Sequence, residues 1–233
     1  MRNGSSCYSG PLTETTHRPM PVLQSSLLAS VPWLTHGFGV RSSENWISDY
    51  TGLTQIHSSK VVLADGRRGN LEEGDALVTS EAGNWIGIRT ADCVPILIVD
   101  PEYRAVAAIH AGWRGTVASI VSRTVESMSH QFGSDPRQVL VAVGPAIGPC
   151  CFEVGPEVAQ QFPSGSRMVD LATANSQLLI QAGVEPDHID VLHLCTFCSG
   201  PGQFHSFRRD KEMSGRMVSA ICIGSEDEKS AGG

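Results

Sequence analysis

Residues 90–115, TADCVPILIVDPEYRAVAAIHAGWRG, constrain the fold more tightly than any other stretch of this chain. They hold two apolar runs, 94–99 and 105–109, bounded by Asp100-Pro101 and by Gly112. Runs of this length and apolarity read as strands covered on both faces. Each run carries one metal-competent residue at its edge: Cys93 just before the first, His110 at the end of the second. A buried strand that ends in a thiol or an imidazole delivers a ligand to a site. The competing reading is a buried thiol and a hydrogen-bonded core histidine, because unbridged cysteine is among the most buried residue types.

Three further features favour the first reading. After His110, Gly112 and Gly115 flank Trp113 and Arg114. Thr116 is placed to cap a helix over 116–131, with Val117, Ile120, Val121, Val125 and Met128 on its apolar face. The strand thus reaches a glycine-flanked turn and a helix start, a setting suited to anions, and Arg114 offers a bidentate grip there. The alternative is that Trp113 packs on the core and Arg114 is a surface charge. Next, His57 in the segment Gln55-Ile56-His57 completes a three-ligand set with Cys93 and His110. Two His and one Cys with an open fourth position is a catalytic zinc pattern, whereas structural zinc fills all four positions. Finally, the Gly- and Pro-dense segment 144–155 follows a strand over 139–143 and reads as a fixed loop.

These residues fall into motifs that run along most of the chain: HGF at 36–38, QIH at 55–57, GDALVT at 74–79, TADCVP at 90–95 and HAGWRG at 110–115. GPAIGPCCFEVG at 144–155, CT at 195–196, FHSFRRD at 204–210 and SGR at 214–216 follow in order. The chain resembles the laccase-domain family, also called YfiH-like or multicopper polyphenol oxidoreductase-like. The resemblance implies a single metal, zinc in preference to copper, on His57, Cys93 and His110. It also implies phosphorolysis of adenosine, inosine, guanosine and methylthioadenosine, with deamination of adenosine at the same site. Copper-dependent polyphenol oxidation and editing of cell-wall precursors are the other activities it suggests. Two positions depart from the family pattern. Ser58 stands where glycine is usual, and Phe204-His205-Ser206 stands where two aromatics and a serine are usual.

Composition narrows the partners. The net charge is −7 with no basic block, which argues against nucleic acid. It permits a small anion held by a few arginines. No apolar run is long enough to span a bilayer. Segment 1–21 is polar and lacks the apolar centre of a signal peptide, so it is expected to be disordered, like the tail 225–233. The remaining 22–224 is expected to form one catalytic domain. Seven cysteines, an odd number, predict reduced thiols and a cytoplasmic protein. Cys195-Thr196-Phe197-Cys198 is a lone CxxC, and Cys150-Cys151 are adjacent rather than spaced to chelate, so neither reads as a second metal site. The sequence leaves the oligomeric state open, with a monomer slightly favoured.

Strands are predicted over 76–79, 85–89, 94–99, 105–110, 139–143, 189–194, 203–207 and 217–223, and helices over 116–131, 156–161 and 168–181. The short link between 85–89 and 94–99 suggests antiparallel neighbours. The expected fold is therefore α/β with a mixed sheet, and the resemblance implies a single-domain four-layer α/β/β/α sandwich. Deamination needs an activated water, and phosphorolysis needs phosphate at the anomeric carbon. Arg114, Arg208 and Arg209 are the available phosphate grips. On a strand only one of the last two would face inward, and Arg209 is preferred as the catalytic one. Asp75 and Asp92 are candidates to orient substrate or act as acid or base, against the plainer role of turn or strand-edge hydrogen bonding. A metal-free hydrolase with Cys93 as nucleophile and His110 as base is the main rival. A copper oxidase would need several coppers, and the other histidines are scattered. A non-enzymatic module has no evident use for an open ligand set.

Overall fold

The computed structural model describes residues 22–43 and 46–224; both polar flanks, with Cys7, lie outside the described residues. The chain begins with β1 (Val22–Leu23), α1 (Ser26–Ala29), β2 (Leu34–Gly39), β3 (Gly52–Thr54), β4 (Val61–Leu63) and β5 (Asn70–Glu73). It continues through β6 (Ala76–Thr79), β7 (Ile86–Thr90), β8 (Val94–Asp100), β9 (Ala105–Ala111), α2 (Trp113–Val117) and α3 (Ile120–Phe132). Then come β10 (Leu140–Val143), α4 (Pro156–Ala159), α5 (Leu171–Gln181), β11 (Ile189–Val191), α6 (Phe207–Asp210) and β12 (Met217–Ile223).

Two sheets carry the fold. The larger has six strands in the order β11-β10-β8-β9-β6-β4, and the smaller four in the order β1-β2-β12-β7. Both β8 and β9 are buried along their whole length, as their apolar runs require. Their side chains alternate between two cores. Val94, Ile96 and Ile98 face α3 and α5, packing with Ile120, Val121, Met128 and Leu179. Leu97, Val99, Val106 and Ala108 face the smaller sheet, packing with Phe38, Ile86, Ile88 and Ile221. Each fully buried aliphatic side chain contributes roughly 1.5–3 kcal/mol, so the paired cores hold the two sheets face to face. On the far face of the smaller sheet Trp46 and Tyr50 lie against Gly37 and Gly87, where a Cβ would collide with them or with Val22. The architecture is the mixed-sheet, single-domain α/β sandwich expected.

Several expected elements are corrected. Segments 85–89 and 94–99 are not sheet neighbours. β7 belongs to the smaller sheet and β8 to the larger, and the chain crosses between sheets at Ala91-Asp92-Cys93. Asp92 turns that corner at φ 86°, a conformation a side chain rarely adopts. The helix expected over 116–131 is broken: Ser119 sits at φ 57°, ending α2 before α3 begins. Thr116 lies inside α2 and its hydroxyl donates to the Gly112 carbonyl, so Gly112, not Thr116, is the N-cap. The break also turns Val117 out to solvent. Segment 203–207 is not a strand but a turn leading into α6, which Ser206 caps by accepting from the Arg209 N–H at 3.3 Å.

Candidate metal centre

Three segments meet at one end of the sandwich: the loop before β4, the corner between β7 and β8, and the end of β9. They bring His57, Cys93 and His110 together, with all candidate ligand atoms within 4.8 Å of one another. The imidazoles of His57 and His110 stand edge to face, 4.8 Å between centroids. His57 is exposed, Cys93 half-buried and His110 buried, so the cluster opens to solvent on the His57 side. His57 is itself at φ 59°. Two of the three ligands thus sit at or beside a strained backbone position, as functional sites tend to.

Asp75 organises this geometry. Its carboxylate is fully buried and accepts from His110 Nδ1 at 2.8 Å. It also accepts from the backbone N–H groups of Ile56, His57 and Ser58 at 3.3, 2.9 and 2.6 Å, and from the Ser58 hydroxyl at 2.7 Å. One side chain therefore shapes the His57 loop and orients the His110 ring, leaving Nε2 for the cluster. Burial alone would raise the Asp75 carboxyl, but the His110 and Ser58 donors outweigh it and hold it at about 2. Burial pushes the Cys93 thiol up, and hydrogen bonds and charge from His110 and His57 reverse this, bringing it to about 6. Burial likewise pulls His110 down, while Asp75 and Cys93 raise it to about 9. The thiol shifts down and the imidazole up because each hydrogen-bonds the other.

Glycine at 112 keeps the centre uncrowded. A Cβ there would lie 3.0 Å from Cys93 Sγ and 3.1 Å from His57 Cδ2. Ser58, the departure noted above, gives Asp75 a hydroxyl donor that glycine would lack. His205, the other departure, lies within 3.0 Å of where a Cβ on Gly215 would stand.

The remaining expected site residues fall into two groups. Asp75 and Asp92 have buried carboxylates that brace the centre. The Asp92 carboxylate is buried and accepts from Thr196 Oγ1 at 2.6 Å, Ser206 Oγ at 3.1 Å and the Arg208 N–H at 2.6 Å. Arg209 is braced as well. Its guanidinium bonds Asp210 and the carbonyls of Thr196, Phe197 and Phe204 at 2.7–3.2 Å. The strand argument that preferred Arg209 fails because both arginines lie on α6. Arg208 instead reaches outward over the Phe152 ring at 5.2 Å, with one donor on the Glu153 carbonyl. Arg114 is exposed and stacks 4.4 Å over Trp113. Sequence reasoning missed Ser58, Thr196 and Ser206 as supports. Their only signal was position: Thr196 and Ser206 lie inside motifs, and Ser58 follows one.

Fold and centre together define a class: single-domain mixed-sheet α/β proteins that present an open His₂Cys cluster at strand ends over a buried carboxylate. The chain belongs to the multi-copper polyphenol oxidoreductase laccase family, whose model matches residues 40–224. It is 41% identical over 184 residues to a purine nucleoside phosphorylase of Deinococcus radiodurans, covering 74% of this chain and 70% of that one. It is 38% identical over 199 residues to adenosine deaminase RL5 from an unknown prokaryotic organism, covering 75% of each. The crystal structure of YlmD from Geobacillus stearothermophilus superposes with a TM-score of 0.78 at 25% identity, over 89% of this chain and all of that one.

Proposed function

We propose that this protein is a zinc-dependent purine nucleoside enzyme. It would cleave adenosine, inosine, guanosine and methylthioadenosine with phosphate to free base and (methylthio)ribose 1-phosphate, and deaminate adenosine at the same site. The observation that carries the reading is the His57–Cys93–His110 cluster, open on one side and oriented by Asp75. The names of the two curated relatives support its substrate class. Two imidazoles and a low-pKa thiol suit a borderline-soft divalent ion, and zinc bound there supplies Lewis-acid chemistry with one position left for a reactant.

The chain's own residues divide the remaining work. Asp75 fixes the His110 tautomer and the His57 loop. Asp92 holds the Cys93 corner and the start of α6. Of the three candidate arginines, Arg208 and Arg114, which are not clamped as Arg209 is, are the phosphate grips. The test is release of base and of ammonia from adenosine, each titrated with phosphate. Base release should require phosphate and yield ribose 1-phosphate, while ammonia release should not depend on it. Base release that ignores phosphate, or no turnover of any nucleoside by zinc-loaded protein, would refute the proposal.

The Cys93 thiol beside His110, itself hydrogen-bonded to Asp75, favours one second reading: a metal-free cysteine amidase acting on cell-wall precursors. Elemental analysis separates the two, since full activity without metal belongs only to the amidase. The oxidase chemistry in the family's description calls for several histidine-rich coppers. Among the described residues the other candidate metal group is made of cysteine alone.

A further inference from the structure

Four cysteines far from the His57 centre in sequence converge where two loops meet. β10 and β11 run parallel, with Val143 opposite Val191, so the chain leaves both strands at the same edge. The loop after β10 and the turn after β11 then stay zipped together. Ala146 N–H donates to the Leu194 carbonyl at 3.1 Å, and Thr196 N–H to the Ala146 carbonyl at 3.0 Å. This brings Cys150 and Cys151 from one loop against Cys195 and Cys198 from the other, all four sulfurs within 4.8 Å. Cys150 Sγ lies 3.3 Å from Cys198 Sγ, and Cys151 Sγ lies 3.6 Å from each of them.

These spacings match a tetrahedral thiolate site. Zinc–sulfur bonds of about 2.3 Å place sulfurs about 3.8 Å apart at the corners of a tetrahedron. A disulfide uses two sulfurs at about 2.05 Å and leaves the other pair unexplained. The CxxC turn is also shaped for an anionic sulfur: the Gly148 N–H points at Cys195 Sγ at 3.3 Å, joined by the amides of Phe197 and Cys198. The Arg209 guanidinium bonds the Thr196 and Phe197 carbonyls on the same turn and so fixes its backbone.

We propose that Cys150, Cys151, Cys195 and Cys198 bind a structural zinc ion that pins the loop after β10 to the turn after β11. The site is closed, with four protein ligands, and stands apart from the open His57 centre. Its mechanical output reaches that centre through Asp92. Ile147 N–H donates to the Asp92 carbonyl at 2.9 Å, and Thr196 Oγ1 donates to its carboxylate. Asp92 is the residue before Cys93, so the zinc holds the corner on which Cys93 stands.

The decisive protein is the His57→Ala/Cys93→Ala variant, which lacks two ligands of the open centre. Purified with reductant, it should retain one zinc per chain, with an X-ray absorption shell of four sulfurs at about 2.3 Å. Replacing the zinc with cobalt should give the intense visible bands of tetrahedral thiolate cobalt. In Cys150→Ser/Cys198→Ser this zinc should be lost and the melting temperature lowered. If either variant fails to fold, the wild-type chain decides, because its bound metal should show the four-sulfur shell and, with cobalt, the same intense bands. No zinc in the His57→Ala/Cys93→Ala variant overturns the proposal. So does iron in its place, a Cys150–Cys198 disulfide in the native chain, or wild-type metal with no four-sulfur component in its absorption shell. None of these readouts depends on nucleoside turnover, so this inference and the proposed activity can fail separately.

Discussion

At the scale of single residues, the centre depends on groups that do not touch a reactant. Asp75 is the clearest. An amide at this position keeps the shape but loses the charge and one of two acceptor faces. Asp75→Asn should therefore leave His110 without its fixed tautomer and the His57 loop without its full set of donors. Loss of such a supporting carboxylate typically costs about 10–100-fold in metal affinity or activity. A competition titration against a chelator, with turnover measured alongside, checks this; unchanged affinity in a folded variant would remove Asp75 from its assigned role. Gly112→Ala is a steric counterpart. The backbone at Gly112 (φ −75°, ψ 174°) suits alanine, so the fold should persist. The added methyl must still displace Cys93 or His57 from contacts near 3.0 Å. Metal affinity should fall about ten-fold or more while the far-ultraviolet circular dichroism is unchanged.

At the scale of elements, α6 separates two neighbouring arginines that look alike in the sequence. Arg209→Ala removes bonds to Asp210 and to three carbonyls, so it should destabilise the fold by about 2 kcal/mol, within the range for charged hydrogen bonds. Arg208→Ala should leave the melting temperature nearly unchanged and raise the phosphate needed for base release by about ten-fold or more. The reverse pattern would return Arg209 to the phosphate site. This pair also shows what was legible in the sequence. The apolar runs of β8 and β9 announced buried strands, and their edges announced Cys93 and His110, because burial is written in composition. The bounds of β12, Met217–Ile223, were readable for the same local reason. The crossing between sheets at Asp92 was not, because a positive φ at a non-glycine residue is imposed by three partners from distant segments. The Ser119 break was hidden for a like reason, since the helical period runs straight through it. The four-cysteine cluster was invisible because parallel pairing of β10 and β11, not local spacing, brings its halves together.

At the scale of the whole molecule, the two sheets are tied at a buried histidine on the face opposite the α3 layer. His36 in β2 is 1% exposed, and its Nε2 accepts the Ser25 N–H at 3.0 Å at the start of α1. The Ser25 hydroxyl in turn donates to Asp190 of β11, in the larger sheet. Burial lowers the His36 pKa to about 4 against an opposing pull from Asp190. Between about pH 4 and the ordinary value of 6.5 the unfolded chain therefore binds a proton that the folded chain refuses. Stability must fall as pH drops through that window and level off for this group below about 4. Two and a half pKa units correspond to about 3 kcal/mol. Asp75 contributes in the same direction, but its loss begins only below its ordinary 3.8 and runs towards 2, so the two windows separate. Denaturant unfolding at pH 7, 5.5 and 4 should show the wild-type chain losing about 3 kcal/mol more than His36→Gln, which keeps an acceptor for Ser25 but cannot titrate. Metal release on acidification affects both proteins alike, so the difference between them isolates His36. Parallel curves for the two would show that the sheets are not coupled to pH through this residue.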